Sequence, residues 1–267
     1  MPYFAGIDIG SRGAKGCIIE DGKIVSYFIG DTGPESVKTA WYTFEGTAKP
    51  VGLEVKDMTY VVATGYGRVL VPFANENISE ISCHAKGAQY CLPSVRTILD
   101  MGGQDCKAIN VNEKGVVTKF IMNDKCAGGT GRFLEVIASV LGLTIEQIGP
   151  VALTSTEKFP FNTVCAVFAK SEALTLLKKG TPKADILAGL HDAIATRCHN
   201  LLKRVNIEKD FTITGGISKN TGMVAKMKEK LGLEPVLMEP DPQIAGALGA
   251  AVFARERWLA KQGQPPQ

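Results

Sequence analysis

The chain has 267 residues, of which 45% are hydrophobic and 21% charged, and its formal net charge is +3. This composition is ordinary for a globular protein, and so small a charge argues against partners bound through a strongly charged surface, such as nucleic acid. No apolar run approaches the roughly 18 residues of a membrane span, and the N-terminus lacks a signal-peptide pattern. We therefore expect a cytoplasmic protein with no membrane partner, whose seven cysteines are thiols or metal ligands.

An internal repeat organises the first half of the chain. The segments 6–29 and 98–121 each begin with an apolar strand that ends in Asp-x-Gly, and each places a lysine seven residues after the aspartate. A second strand, a turn and a third strand follow in both copies, and a glycine between two apolar runs is a strong hairpin signal. The matched positions are Asp8 with Asp100, Lys15 with Lys107, and the turns Asp21-Gly22 and Lys114-Gly115.

Helical spacing of apolar residues follows each copy of the repeat. We predict helices over 76–92 and 183–205, helices directly after Cys126 and Cys165, and a last helix that begins near Gln243. Strands followed by helices, in two copies, predict an α/β protein of two related domains. The expected boundaries are 1–96 with a returning C-terminal helix 243–267 for domain I, and 97–242 for domain II.

Three glycine-bearing turns have the composition of a nucleotide site. DIGSRGAK offers backbone N–H groups, a hydroxyl and a lysine to phosphate, and TITGGISKN offers paired glycines to a flat base. Asp8 and Asp100 could hold a hydrated Mg²⁺, and Gln104 could orient the attacking water, so these three are the candidate catalytic residues. The candidate ATP/ADP-binding residues are Gly10, Ser11, Arg12, Gly13, Ala14, Lys15, Gly102, Gly103, Gln104, Gly215, Gly216, Ile217, Asn220 and Gln243.

A lone Asp-x-Gly is most simply a tight turn, whereas two matched copies followed by a Gly-Gly turn favour nucleotide binding. The sequence has no G-x-x-x-x-G-K-[ST] and no G-x-G-x-x-G after a strand. A P-loop enzyme is therefore excluded and a dinucleotide-binding fold is disfavoured.

Motifs along nearly the whole chain resemble the sugar kinase, heat-shock protein and actin superfamily. They are GIDIGS (6–11), DMGGQD (100–105), TGGISKN (214–220) and AGALGAA (245–251). This resemblance implies the actin-like ATPase (ribonuclease H-like) fold, with two related domains around a nucleotide cleft. Four further segments resemble the BadF/BadG/BcrA/BcrD-type ATPases, which activate 2-hydroxyacyl-CoA dehydratases or serve as ATPase subunits of benzoyl-CoA reductases. These segments are 63–68, 78–88, 123–135 and 165–172.

Cys126 and Cys165 each precede a predicted helix, whose N-terminal N–H groups favour an anion such as a thiolate-bound iron–sulfur cluster. By spacing alone, two buried structural cysteines are the favoured interpretation. The family resemblance reverses this preference and implies that both residues ligate one 4Fe-4S cluster shared between two subunits. Lys170 stands where the family more often has an acidic residue, and the residues alone assign no role to Arg68.

The remaining cysteines lie in predicted strands and helices, where packing explains them. The three histidines lie in predicted helices without metal-ligand spacing, which indicates surface or packing roles. The resemblance implies an ATP-hydrolysing electron donor that delivers a low-potential electron to an acyl-CoA dehydratase or to benzoyl-CoA reductase catalytic subunits. It further implies a homodimer, or a heterodimer with a related ATPase subunit, and an electron donor such as ferredoxin. The alternatives are a sugar or N-acetylglucosamine kinase without a cluster, and a nucleotide-binding structural subunit without turnover.

Overall fold

The computed structural model describes residues 2–123, 128–157, 159–161 and 165–263. The strands are β1 (Tyr3–Ile9), β2 (Gly13–Glu20), β3 (Lys23–Asp31), β4 (Met58–Thr64), β5 (Glu76–Asn77), β6 (Thr97–Met101), β7 (Cys106–Val111), β8 (Val117–Asn123) and β9 (Phe211–Thr214). The helices are α1 (Ser36–Ala48), α2 (Glu80–Cys91), α3 (Gly131–Leu141), α4 (Ile145–Leu153), α5 (Ala166–Lys178), α6 (Lys183–Lys203), α7 (Thr221–Leu231) and α8 (Ala245–Lys261).

The chain forms two compact units. The first comprises Met1–Val95, Val111–Thr118 and Met238–Gln267, and the second comprises Arg96–Asn110 and Lys119–Leu237. Relative to the boundaries expected from the sequence, 111–118 and 238–242 group with the first unit instead of the second, and Arg96 groups with the second unit instead of the first.

The β7–β8 turn groups with the first unit because it is hydrogen-bonded to α2. Lys86 Nζ donates to the Lys114 carbonyl oxygen at 3.1 Å, and Gln89 Nε2 donates to the Glu113 carbonyl oxygen at 3.0 Å. These long-range contacts have no local sequence signal, so hydrophobic periodicity could not predict them.

Each unit contains one sheet, and four strands of the two sheets correspond. The first sheet has the order β3-β2-β1-β4-β5 and the second has the order β8-β7-β6-β9. In the first, β1 is antiparallel to β2 and parallel to β4. In the second, β6 is antiparallel to β7 and parallel to β9. The repeat predicted from the sequence is thus a structural duplication.

The sheet of the first unit carries helices on both faces. After Tyr3, every residue of β1 is buried, as expected for a central strand with an apolar environment on each side. One buried cluster combines Phe4 with side chains of α8, and another combines Ile7 with Phe44 of α1. Helices α8 and α2 approach so closely that a methyl group on Gly249 would overlap the Cys83 carbonyl oxygen.

The second unit has one continuous apolar core. It joins strands β6, β7 and β9 to helices α3–α7, with Leu99, Phe133, Leu190 and Phe211 among its buried residues. None of the helices in the described ranges is by itself long and apolar enough to cross a membrane; α3 and α4 pass that test together but are bent by 78°.

The predicted helices form with small shifts at their ends. The helix predicted over 76–92 begins at Glu80, because Glu76–Asn77 pair with β4 and the Ser79 hydroxyl accepts from the Ile81 amide as an N-cap. The last helix begins at Ala245, after a short 3-10 turn over Pro242–Ile244. The helix predicted over 183–205 spans Lys183–Lys203.

Candidate functional site

The first Asp-x-Gly turn joins β1 to β2. Asp8 and Lys15 are direct partners in the strand register, and Lys15 Nζ lies 3.4 Å from Asp8 Oδ2 and 3.3 Å from the Gly13 carbonyl oxygen. The Gly10 amide donates to the Gly13 carbonyl at 3.1 Å and closes the turn. The seven-residue spacing thus becomes a cross-strand ion pair beside a tight turn.

Two glycines from distant segments make room for the Asp8 carboxylate. Gly65 has φ +83°, and a side chain there would overlap Asp8 Oδ1. A methyl group on Gly246 would lie 3.0 Å from Asp8 Oδ2 and 2.9 Å from His84 Nε2. Asp8 and the buried His84 therefore border the same small space, although spacing alone suggested a surface or packing role for the histidine.

Arg68, whose role the residues alone do not define, braces the turn beside Asp8. Its Nη1 donates to the Gly65 carbonyl oxygen at 2.9 Å and to Glu80 Oε2 at 3.1 Å. The guanidinium thereby links the turn after β4 to the first turn of α2.

The second Asp-x-Gly turn joins β6 to β7. It has the same aspartate–lysine ion pair as the first turn, and two further side chains contact that pair. Asp100 faces Lys107 in register, with 3.4 Å between Lys107 Nζ and Asp100 Oδ2. Lys107 Nζ also lies 2.7 Å from Asp105 Oδ1, and Thr214 Oγ1 donates to Asp100 Oδ1 at 3.3 Å. Sequence reasoning did not assign roles to Asp105 and Thr214, although Asp105 stands inside the DMGGQD motif.

Gly102, Gly103 and Gln104 form the loop after Asp100. The Gly102 amide donates to the Asp105 carbonyl at 3.0 Å, and Gln104 is exposed. The carbonyl oxygens of Gly102 and Gly103 accept from the backbone amides of Gly131 at 3.0 Å and Arg132 at 2.9 Å. These amides begin α3, so the second loop is attached to the start of that helix.

The predicted adenosine turn follows β9. Gly215 has φ +84°, and a methyl group there would lie 2.9 Å from Asp100 Oδ1, so the turn passes close to the second ion pair. Gly216 is exposed, whereas Ile217 is buried in the core of the second unit. Asn220 caps α7, because its Oδ1 accepts from the Met223 amide at 2.9 Å.

The other predicted nucleotide-binding residues differ in their solvent exposure. Ser11 and Gly13 are half-buried and Arg12 is exposed, whereas Ala14 is buried and packs into the core. Gln243 lies in the 3-10 turn before α8, and its amide donates to Asp241 Oδ1 at 2.9 Å.

Of the two predicted cluster ligands, Cys165 is the exposed N-cap residue of α5, as its position before a predicted helix suggested. Cys126 lies outside the described residues. The helix that follows it begins at Gly131 with Thr130 as N-cap, and its first two amides are used by Gly102 and Gly103. Those two amides therefore already have partners within the protein.

The other five cysteines lie in protein cores. Cys17, Cys83, Cys106 and Cys198 are buried and Cys91 is half-buried. Burial raises the pKa of Cys83 to about 12 and that of Cys91 to about 11. The pKa of Cys106 is also raised, by the Cys198 Sγ that lies 3.7 Å from its own and by burial. Thiolates are disfavoured in such surroundings, which agrees with the packing role predicted for these residues.

No three His, Cys, Asp or Glu side chains within the described ranges are grouped so that they could hold a metal ion. Lys170 is exposed on α5, and His84, His191 and His199 lie on α2 and α6, as predicted.

This chain is similar to known proteins over almost its whole length. Residues 5–254 match the model of the BadF/BadG/BcrA/BcrD ATPase family. The activator of lactoyl-CoA dehydratase from Anaerotignum propionicum is 42% identical over 260 residues, which cover 95% of this chain and 98% of the relative.

Two solved structures are similar in fold as well as sequence. Component A of the (R)-2-hydroxyglutaryl-CoA dehydratase of Acidaminococcus fermentans gives a TM-score of 0.92 at 40% identity, covering 97% of this chain and 99% of that one. The activator of the 2-hydroxyisocaproyl-CoA dehydratase from Clostridium difficile, with bound ADPNP, gives 0.93 at 36% identity, covering 98% and 97%. The predicted fold class, the actin-like ATPase fold, is confirmed.

Proposed function

Since the chain belongs to the BadF/BadG/BcrA/BcrD ATPase family, we propose that it is an ATP-hydrolysing iron–sulfur electron donor that delivers a low-potential electron to an enzyme acting on an acyl-CoA. The observation that carries this proposal is the duplicated Asp–Lys hairpin, present in a chain that matches a dehydratase activator over 95% of its length.

The nucleotide part of the proposal rests on the two turns. Lys15 and the amides of its turn bind phosphate, and Gln104, exposed on its loop, orients the attacking water. Asp8 and Asp100 are buried carboxylates that already face lysines. Such carboxylates suit Mg²⁺, which keeps several of its waters and binds proteins through one or two carboxylates.

The cluster part rests on the contrast between Cys165 and the other described cysteines. Cys165 is exposed at a helix start, where the macrodipole favours anionic thiolate ligands, whereas the rest are in cores. Cys126 and Cys165 of one chain, with the same pair from a second copy or a related subunit, supply the four thiolates of one 4Fe-4S cluster. When bound, the cluster supplies one-electron redox chemistry.

The partner of first choice is a 2-hydroxyacyl-CoA dehydratase, because the named relatives belong to such systems. Benzoyl-CoA reductase catalytic subunits are the second partner class predicted from the sequence. A ferredoxin-like donor and a cytoplasmic location complete the proposal. The sugar-kinase and structural-subunit alternatives do not account for full-length similarity to dehydratase activators.

The experiment is anaerobic purification followed by iron, acid-labile sulfide and ATP-hydrolysis measurements on the wild type, Cys165→Ser and Cys83→Ser. We expect the wild type and Cys83→Ser to carry one cluster per two chains and Cys165→Ser to carry none. Because Cys165 does not touch either Asp-x-Gly turn in the described contacts, Cys165→Ser should still hydrolyse ATP.

Activation of a 2-hydroxyacyl-CoA dehydratase by the reduced protein then tests the electron transfer. Normal iron content in Cys165→Ser contradicts the ligand assignment. A wild type that has its cluster but does not hydrolyse ATP contradicts the nucleotide assignment instead.

A further inference from the structure

The start of α3 is hydrogen-bonded to the second phosphate loop. The Gly131 amide donates to the Gly102 carbonyl at 3.0 Å, and the Arg132 amide donates to the Gly103 carbonyl at 2.9 Å. Amides at a helix start have no partner within their helix and usually pair with side chains or water. Thr130, the N-cap residue, makes no side-chain capping bond, so the loop carbonyls satisfy these two amides instead.

These two bonds fix the orientation of consecutive peptide groups in the loop. The carbonyls of Gly102 and Gly103 belong to the peptide groups that directly precede Gln104. Any rotation of either peptide group, such as one that turned an N–H toward a bound phosphate, would break or strain a bond to α3. The loop and the helix start therefore have to move together.

Helix α3 is also packed against α5, the helix that Cys165 caps. Phe133 and Ile137 of α3 share the buried core with Ala169 and Ala173 of α5. Close-packed side chains transmit displacements because the core contains little free volume. Hydrogen bonds and packing thus connect the loop beside Gln104, through α3, to the buried core that α5 shares.

We propose that the first turn of α3 is a positioning element that holds the second phosphate loop for hydrolysis and moves with that loop when its nucleotide state changes. This inference rests on the proposed nucleotide-binding function. The link between the loop and α3 is made by the backbone amides of Gly131 and Arg132, both within the second unit, and Gly131 is the position at which it can be tested.

Gly131→Pro tests this link with little disturbance of the helix. Proline is tolerated at the first position of a helix, and the residue before it must be extended. Thr130 already has φ −110° and ψ 170°. The proline replaces the N–H that bonds to Gly102 with a ring carbon, so the Gly102 carbonyl oxygen, 3.0 Å from the nitrogen, has to move away and the adjacent bond from Arg132 to Gly103 is strained as well. The matched control is Gly131→Ala, which keeps the N–H and whose methyl group lies 3.4 Å from Gly103 Cα, an ordinary contact distance.

The readout is hydrogen–deuterium exchange of the full chain without a cluster, measured in the absence and in the presence of Mg²⁺ together with ADP or ADPNP. Peptides covering 100–106 report nucleotide binding to the loop, and peptides covering 131–137 report the response of α3. In the wild type and Gly131→Ala, we expect nucleotide to change exchange in the first turn of α3 about fivefold or more, the lower end of typical coupling. In Gly131→Pro, the loop should still respond and the helix should not.

ATP hydrolysis gives a second measurement. Because Gln104 loses its position, kcat of Gly131→Pro should fall about tenfold or more, with a smaller change in KM. If nucleotide leaves the 100–106 peptides of the wild type unchanged, the nucleotide assignment itself fails. If those peptides respond but α3 does not, or if α3 still responds in Gly131→Pro, the coupling is wrong and the ATPase assignment stands.

Discussion

The two Asp-x-Gly turns have the same strand register but different surroundings. In both, the aspartate and lysine pair across the hairpin with 3.4 Å between Nζ and Oδ2. The Lys15 side chain retains 15% of its exposure and contacts one carboxylate, whereas Lys107 retains 3% and contacts both Asp100 and Asp105. The second loop is additionally bonded to α3.

This difference indicates that the duplicated ion pair has two uses. Lys15 keeps a path to solvent and shares its charge with a single carboxylate, which suits a cation that binds phosphate. Lys107 is enclosed by two carboxylates and mainly holds the loop in shape. Of the four predictions below, ordered from the largest expected effect to the smallest, the first three test this division and the fourth concerns a buried histidine of the second unit.

The largest effect is expected for Lys107→Met. Removing the cation leaves Asp100 and Asp105 as buried carboxylates that lose their shared cation, and breaking a buried pair from one side costs about 3–5 kcal/mol. The measurement is the free energy of unfolding in urea. Adding Asp105→Asn to Lys107→Met should recover part of the loss, because one of the two carboxylates is then neutral.

Lys15→Met is the matched change in the first turn. We expect ATP hydrolysis to fall about tenfold or more, since a phosphate-binding charge is lost. The loss of unfolding free energy should be smaller than for Lys107→Met, because one carboxylate and not two loses its cation. Equal destabilisation by the two substitutions would contradict the division of roles.

Gln104 and Arg12 occupy equivalent positions in the two turns, and both are exposed. Gln104→Ala should lower kcat about tenfold with little change in KM, because it removes the group that orients water. Arg12→Ala should mainly raise KM, because it removes a charge near the phosphates. Steady-state kinetics separate the two results, and a matching decrease in kcat for both variants would count against a special role of Gln104.

The smallest effect concerns His191 in the second unit. Burial lowers its pKa below the ordinary value of 6.5, although its bond to the Leu187 carbonyl and nearby Asn220 oppose this. Below about pH 6.5 the unfolded chain binds a proton at His191 that the folded chain does not. The free energy of unfolding therefore decreases as the pH is lowered, by up to about 1.4 kcal/mol per pH unit. Above about pH 6.5 His191 is neutral in both states, so this loss of stability is absent.

Urea unfolding at about pH 7.5 and about pH 5.5 measures this loss. In His191→Gln the difference between the two pH values should be smaller than in the wild type. An unchanged difference would assign the acid sensitivity to other groups.

Much of the fold and of the candidate site is encoded locally. The repeat, its hairpins and the pairing of Asp8 with Lys15 and of Asp100 with Lys107 follow from spacing, because a tight turn brings residues seven apart into register across two strands. The position of Cys165 before a helix is also local information, because the residues that follow it form the helix.

Contacts between distant segments were decided by the tertiary structure. Thr214 donates to Asp100, Arg68 joins the turn at Gly65 to Glu80 of α2, and the Gly131 amide holds the second loop at Gly102. In each case a polar group takes the partner that folding brings within about 3 Å, since a buried donor or acceptor left without one is costly. Sequence spacing specifies which groups are present and which neighbours share a hairpin, whereas the packing of separate elements determines which distant partner each group meets.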